Sequence, residues 1–373
     1  MTRSEDELRI LIVTPDYPPP PGGIQTITRN IERGLNDAGH TVELLHIDPE
    51  YYDPTLRDIL PRWRWCYSTR AAVTGQFVYQ QTVYTRINDR IGSFDPDIVH
   101  AMHIRNWSAL VAANEAGLPT VLSTYALELE ETELAAAAIN TADIVHVISE
   151  FTASLVDDAV EESVETRLIH PSIDVPAYQT AHEQVTQETD KAPVLTMARF
   201  VDRKNIETVI RAWKQMDEVA TADRELIVAG DGPKREAFER LAADRDDVRF
   251  VGWVNGEEKR ELLAESVAFV MVPRRDEFDV EGFGIVYIEA QAAGTPVVGS
   301  KHGGAPEAVG DAGIIVDDES DPTNVGAAIE TLLDTDQRIK YEQKAAERIG
   351  QFDIPVITEK FLSVYDSLKS RSA

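Results

Sequence analysis

The chain has 373 residues, past the length at which one hydrophobic core usually divides, so two domains are expected. It carries 65 acidic against 36 basic residues, a formal charge of −29, which disfavours nucleic acid and anionic lipid as partners of the surface as a whole. The single cysteine, Cys66, excludes an internal disulfide, no apolar run reaches the roughly 18 residues of a membrane span, and no spacing suggests metal ligands.

The acids are spread along the chain and not gathered into a tail. That spread fits a surface adapted to high salt, where screening removes self-repulsion, better than a face for a large cationic partner. A halophilic source is therefore expected. The opening MTRSEDELRILIVT sets acids ahead of its apolar run and shows no small-residue cleavage site. No secretory signal is expected, and the cytoplasm is the expected compartment.

Strand-length apolar runs recur in the first half at 8–14, 41–47, 97–102, 119–125 and 142–149. Near-continuous Val, Ile and Leu suit strands buried on both faces of a parallel sheet. After the first of them, TPDYPPPPGGIQ leads into a helix predicted from about Ile24 and stopped at Gly39. Four prolines stiffen the approach, and Gly22 and Gly23 let the backbone come close to a neighbour. Glycines before a helix N-terminus can offer amides to an anion, or can form a plain turn. Residues 57–90 reverse the local charge, with six arginines against two aspartates. Arg62, Trp63, Arg64 and Trp65 lie there, and the segment reads either as a dock for an anionic acceptor at a membrane surface or as an arginine-rich helix paired with the protein's own acids.

The polar stretch 180–193 has no apolar period and reads as a linker. The expected organisation is a first domain over 1–183, a second over 184–352 and a final helix over 353–373. In the second half strands are predicted at 193–199, 224–232, 247–254, 267–273, 296–301 and 312–317. Strand and helix alternate in both halves, which implies two doubly wound α/β sheets with ligands outside the carboxyl ends of the strands. Arg199, Arg203 and Lys204 follow the first strand of the second half, where they suit a phosphate better than a surface salt bridge. VAGDGP, with Gly232, and FVGWVN, with Trp253 and Val254, end strands in glycine turns that either line a nucleobase or are structural. In EGFGIVYIEA, Glu281 precedes a helix and Glu289 lies within it on an otherwise apolar face. A buried carboxylate needs donors, which a sugar diol or a core salt bridge would supply.

Together these motifs resemble glycosyltransferase family 4, retaining enzymes of the GT-B fold, in which two Rossmann-like doubly wound domains face across a cleft. The resemblance covers nearly the whole chain: the paired glutamates Glu281 and Glu289, the cations Arg199 and Lys204, the Gly22-Gly23 loop, and the segments ADIVHVISEF, VAGDGP, FVGWV and GGAPEAV. The wording of PPPPGGIQ and DVEGFGIVYIEA is similar to the branch of GDP-mannose-dependent mannosyltransferases acting on phosphatidylinositol mannosides. The resemblance implies a GDP- or UDP-linked sugar as substrate, no cofactor and no metal. It implies that Arg199 and Lys204 neutralise the donor diphosphate, that Glu289 holds the ribose, and that Glu281 holds the sugar beside Gly282, Phe283 and Gly284. It implies a glycan or lipid-linked acceptor and a final helix returning to the first domain. Two places depart from the family pattern. Tyr125-Ala126 stands where a His-Gly pair is usual, with His100 or His103 as nearby substitutes, and SID leaves Asp174 where a longer Asn-Gly-Ile-Asp is usual. The Tyr125 change also admits a second class of function, a sugar-nucleotide-binding partner without turnover; a third is another GT-B enzyme such as an epimerase.

Overall fold

The computed structural model describes residues 7–18, 22–47, 69–185, 191–217, 221, 223–276 and 280–372. It divides into two compact units, one of Met1–Ser172 with Ile354–Ala373 and one of Ile173–Asp353.

The first unit runs β1 (Arg9–Thr14), α1 (Gly23–Asp37), β2 (Thr41–His46), α2 (Thr69–Phe94), β3 (Ile98–Ala101), α3 (Trp107–Glu115), β4 (Thr120–Thr124), α4 (Thr132–Thr141), β5 (Ile144–Val147), α5 (Glu150–Ala159) and β6 (Thr166–Leu168). Its six strands form a parallel sheet in the order β2-β1-β3-β4-β5-β6. The central strands are buried at nearly every position, as their mostly aliphatic runs require, with His100, Ser123 and His146 buried among them. Strand β6 has no counterpart in the sequence reading, because Thr-Arg-Leu at a half-exposed edge shows no apolar run. Gly39, at φ +89°, ends the turn after α1 in the left-handed region.

The second unit runs α6 (Val175–Glu183), β7 (Val194–Met197), α7 (Ile206–Gln215), β8 (Leu226–Ala229), α8 (Arg235–Leu241), β9 (Val248–Gly252), α9 (Gly256–Glu265), β10 (Ala268–Val270), α10 (Ile285–Ala292), β11 (Val297–Ser300), α11 (Ala305–Val309), β12 (Gly313–Val316), α12 (Pro322–Leu333) and α13 (Thr335–Arg348). Its sheet is again parallel and six-stranded, in the order β12-β11-β10-β7-β8-β9. One core cluster, built around Trp213, Phe200 and Ile329, fills the space between α7, α12 and the sheet. Residues 173–183 belong to this unit, whereas the sequence reading set them in the first. The first four residues of the supposed linker are the mostly exposed end of α6, a helix capped by Asp174, whose side chain accepts from Ala177 N.

The last helix, α14 (Ile354–Ser372), packs in the first unit, where Gly34 of α1 leaves no room for a side chain: a Cβ there would lie 2.0 Å from Thr358 Oγ1. It also closes a buried chain of hydrogen bonds. His146 Nε2 lies 2.8 Å from the Ile169 carbonyl, which can only accept, so Nε2 carries the proton. Ser123 Oγ then donates to His146 Nδ1 (2.7 Å) and accepts from His100 Nε2 (2.7 Å), and His100 Nδ1 accepts from Tyr365 Oη (2.8 Å). Burial holds both histidines neutral, His146 pushed down to about 4 and His100 well below its ordinary value. Ser123→Ala strands a donor and an acceptor at once and is expected to cost about 2 kcal/mol or more, read by urea denaturation with an unchanged m-value. An unchanged midpoint would contradict this chain.

Candidate functional site

In the second unit the strand order turns between β7 and β10, so the loops after these strands part at the carboxyl end of the sheet. Such a turning point is where open α/β sheets bind ligands. The loop after β7 carries Arg199, Arg203 and Lys204; the loop after β10 leads to Glu281. Asn205, at φ +53°, ties the two regions. Its Nδ2 donates to the carbonyls of Val272 (3.1 Å) and Glu319 (2.7 Å), while Arg274 N donates to Arg203 O (3.0 Å). Behind the first loop, Gly230 (φ +128°) and Gly232 (φ +153°) have no space for a side chain. A Cβ would meet Ala198 O at 1.9 Å and Phe200 O at 2.8 Å respectively. Gly232 therefore supports the cation loop as a structural turn.

Glu281 is the centre of the site. Its Oε2 accepts from Arg203 Nη1 at 2.7 Å and from Lys204 Nζ, and all three side chains are at most 15% exposed. Burial alone would raise the Glu281 carboxyl, but Lys204 and Arg203 outweigh it and hold it at about 2. Burial pushes the Lys204 ammonium down; Glu281 opposes this, and Arg203 and Arg199 add to it. Two cations thus meet one carboxylate in a strongly acidic chain. The Arg199 side chain is exposed and makes no hydrogen bond or ion pair among the described residues, while its carbonyl accepts from Val201 N (2.9 Å). The sequence reading gave the donor diphosphate to Arg199 and Lys204 and left Arg203, in the same cluster, without a role; here Arg203 pairs with Glu281. The 3-10 turn Asp202–Lys204 points Arg203 inward, which a cluster of three cations does not reveal.

The sign of the pH dependence follows from these values. A carboxyl that titrates near 2 when folded and near 4.5 when unfolded stabilises fully above about pH 4.5, and the contribution disappears as pH falls to 2. The stability gap between the native chain and Glu281→Gln is therefore expected to narrow between pH 5 and pH 2.5. A gap independent of pH would contradict the pairing.

The loop from Glu281 into α10 is held by close backbone packing. Gly284, the N-cap, has φ +89°, and a Cβ there would lie 2.7 Å from the Tyr287 ring. Gly304 N donates to Glu281 O (2.9 Å), and a Cβ on Gly303 or Gly304 would strike the Glu281 or Gly282 carbonyl at 2.0 or 2.1 Å. Phe283 is buried with its ring 6.1 Å from that of Phe352, so its side chain serves the core and only its backbone remains for a ligand. Glu289 lies on α10, 5% exposed. Its Oε1 accepts from Tyr178 Oη at 2.7 Å and from Lys259 Nζ at 2.5 Å, two partners that the sequence reading missed. Trp253 stands 51% exposed after β9, with Val254 half-buried beside it in sequence.

In the first unit, Gly22 caps α1 and Gly23 begins it, and a Cβ on Gly23 would meet nothing within 4 Å. The chain itself does not require that glycine. His103 follows β3 and Tyr125 follows β4, with rings 6.5 Å apart. His103 Nδ1 accepts from Arg105 N (3.1 Å), and burial pushes the ring down to about 3, so it is a neutral imidazole with its proton on Nε2. Burial, and then Glu128, push the Tyr125 phenol up. Glu128 fixes this corner, accepting from the amides of Tyr125 (2.5 Å) and Ala126 (3.2 Å) and holding Ala126 at φ +148°. His100, the other proposed substitute, is committed to the buried chain described above. Arg62, Trp63, Arg64 and Trp65 lie outside the described residues. Within α2, Arg90 pairs with Glu43 at 3.0 Å, the intramolecular reading of that segment. No described helix is long and apolar enough to cross a membrane.

Two family profiles match: Glycosyltransferase Family 4 over residues 21–176 and Glycosyl transferases group 1 over residues 178–350. The chain is 29% identical over 363 residues to the GDP-mannose-dependent alpha-(1-6)-phosphatidylinositol monomannoside mannosyltransferase of Mycolicibacterium smegmatis, covering 87% of this chain and 89% of the relative. Its fold matches sucrose-phosphate synthase from Thermosynechococcus elongatus with a TM-score of 0.76 at 19% identity, over 98% of this chain and 100% of the other. It matches HepE of Anabaena, solved with UDP and glucose, with a TM-score of 0.71 at 19% identity, over 97% and 100% of the two chains.

Proposed function

The chain belongs to the glycosyltransferases of family 4 and group 1, with the GT-B fold, and from that premise we propose that it is a retaining, metal-independent hexosyltransferase. Its donor is a nucleoside-diphosphate sugar, GDP-mannose first, and its acceptor a hydroxyl of a glycolipid, on the pattern of the relative from Mycolicibacterium smegmatis. It works in the cytoplasm, at the membrane face where such an acceptor lies.

The observation that carries this reading is the buried triad of Arg203, Lys204 and Glu281 at the carboxyl ends of the strands, with Arg199 beside it. A diphosphate brings the anionic charge that this cluster lacks. As the bond from the anomeric carbon to the leaving phosphate oxygen breaks, negative charge grows on the diphosphate, and fixed cations in a water-poor site stabilise it without reorganising. Glu281 orients both cations and, with the backbone of Gly282 to Gly284, contacts the hydroxyls of the sugar. Glu289 accepts from the ribose diol. Trp253 offers an exposed ring beside the nucleobase.

The test is a thermal-shift screen in molar salt of GDP-mannose against several UDP-sugars, followed by transfer of labelled hexose to phosphatidylinositol-based lipids. One donor is expected to raise the melting point by mass action and to support transfer. No shift with any sugar nucleotide would overturn the reading, and binding without turnover across a broad acceptor screen would favour a non-catalytic partner.

A further inference from the structure

Glu289 has two carboxylate oxygens in unequal states. Oε1 accepts from both Tyr178 Oη (2.7 Å) and Lys259 Nζ (2.5 Å), whereas Oε2 accepts from no group among the described residues. Oε2 is also absent from the buried side-chain atoms that lack a partner, so it keeps some access to solvent although Glu289 is only 5% exposed. A buried carboxylate usually fills both oxygens. Here both donors converge on one, from two separate helices.

Those helices are firmly seated. Tyr178 projects from α6, which starts at the Asp174 cap with Pro176 in its first turn. Lys259 projects from the first turn of α9, fixed by the reciprocal capping box of Asn255 and Glu258. Tyr178 is 6% exposed, and its rigid phenol, with two side-chain torsions, gives up little freedom in holding the carboxylate. Burial and the neighbouring Glu289 both keep the phenol protonated, so it remains a donor.

We propose that Tyr178 and Lys259 are positioning residues that saturate Glu289 Oε1 and so reserve Oε2 for the vicinal diol of the donor ribose. They thereby set the discrimination between ribo- and 2′-deoxyribonucleotides. This rests on the assignment of Glu289 to the ribose in the preceding section and adds what orients it. With Oε1 occupied, the carboxylate plane is fixed and Oε2 meets the diol without rotation. Without the phenol, the carboxylate turns about its last torsion, and the diol must compete with water for a mobile acceptor.

The experiment is calorimetric titration of GDP and 2′-deoxy-GDP, and of UDP and 2′-deoxy-UDP, into the full chain and into Glu289→Gln, Tyr178→Phe and Lys259→Met. The native chain is expected to prefer the ribonucleotide on the order of ten- to a hundredfold, the strength of hydrogen bonds to a charged acceptor. Glu289→Gln collapses that ratio towards one. Tyr178→Phe reduces it several-fold by weakening the ribonucleotide alone, with the deoxynucleotide unaffected, which a general loosening of the fold does not do. If Glu289→Gln collapses the ratio while Tyr178→Phe and Lys259→Met leave it native, the positioning role is wrong and the ribose assignment stands. If Glu289→Gln also leaves it native, or the native chain shows no preference, both fall. Should Tyr178→Phe fail to fold, Lys259→Met carries the same comparison.

Discussion

Lys204→Met is expected to lower hexosyl transfer by about two to three orders of magnitude while leaving the chain folded. Lys204 is desolvated, and its charge is held down by burial and by the nearby arginines. The native fold therefore holds this ammonium at some expense, and its removal still leaves Glu281 paired with Arg203 at 2.7 Å. Stability should change little. What is lost is a cation at the point where the leaving diphosphate gathers charge, and that loss falls on kcat as well as on donor KM. Single-turnover rates at saturating donor separate the two. A rate within threefold of the native chain would remove Lys204 from the chemistry.

Glu281→Ala is expected to show the opposite balance, with a loss of stability of about 3–5 kcal/mol in addition to lost transfer. The substitution strips the common partner from two buried cations, Arg203 at 6% and Lys204 at 12% exposure, and leaves them repelling one another. It also frees the loop whose carbonyl receives Gly304 N. Urea titrations of the two variants side by side check this. Equal stability of Glu281→Ala and Lys204→Met would contradict the asymmetry between an orienting anion and a desolvated cation.

Much of this arrangement was legible in the sequence, for identifiable reasons. The eleven apolar runs all became strands because strands packed within a parallel sheet are written mostly with aliphatic residues, and their alternation with helices implied the doubly wound sheets. The runs were read one to five residues longer than the strands, as at 142–149 against Ile144–Val147 and 224–232 against Leu226–Ala229. Glu281 and Glu289 stood out because an acid inside an apolar segment needs a partner. The partners themselves were not legible. Tyr178 and Lys259 reach Glu289 from 111 and 30 residues away, and Tyr178 lay just ahead of the stretch read as a linker, in a segment assigned to the first domain. Arg203 was hidden by its neighbours, because three cations in six residues do not say which one a 3-10 turn buries. Gly303 and Gly304 read as part of a motif, but their reason is a carbonyl contact with Glu281 and Gly282 that only the packed loop shows. Strand β6 was missed because an edge strand of three residues carries almost no pattern.

Titration of GDP and UDP into the native chain and into Lys204→Met tests the central claim most directly, namely that the Arg203, Lys204 and Glu281 cluster binds a nucleoside diphosphate. One of the two nucleotides is expected to bind the native chain with single-site stoichiometry, and Lys204→Met to weaken it by about tenfold or more, the scale of one charge-assisted contact. Equal affinity in the two proteins, or no binding of either nucleotide to the native chain, would contradict the claim.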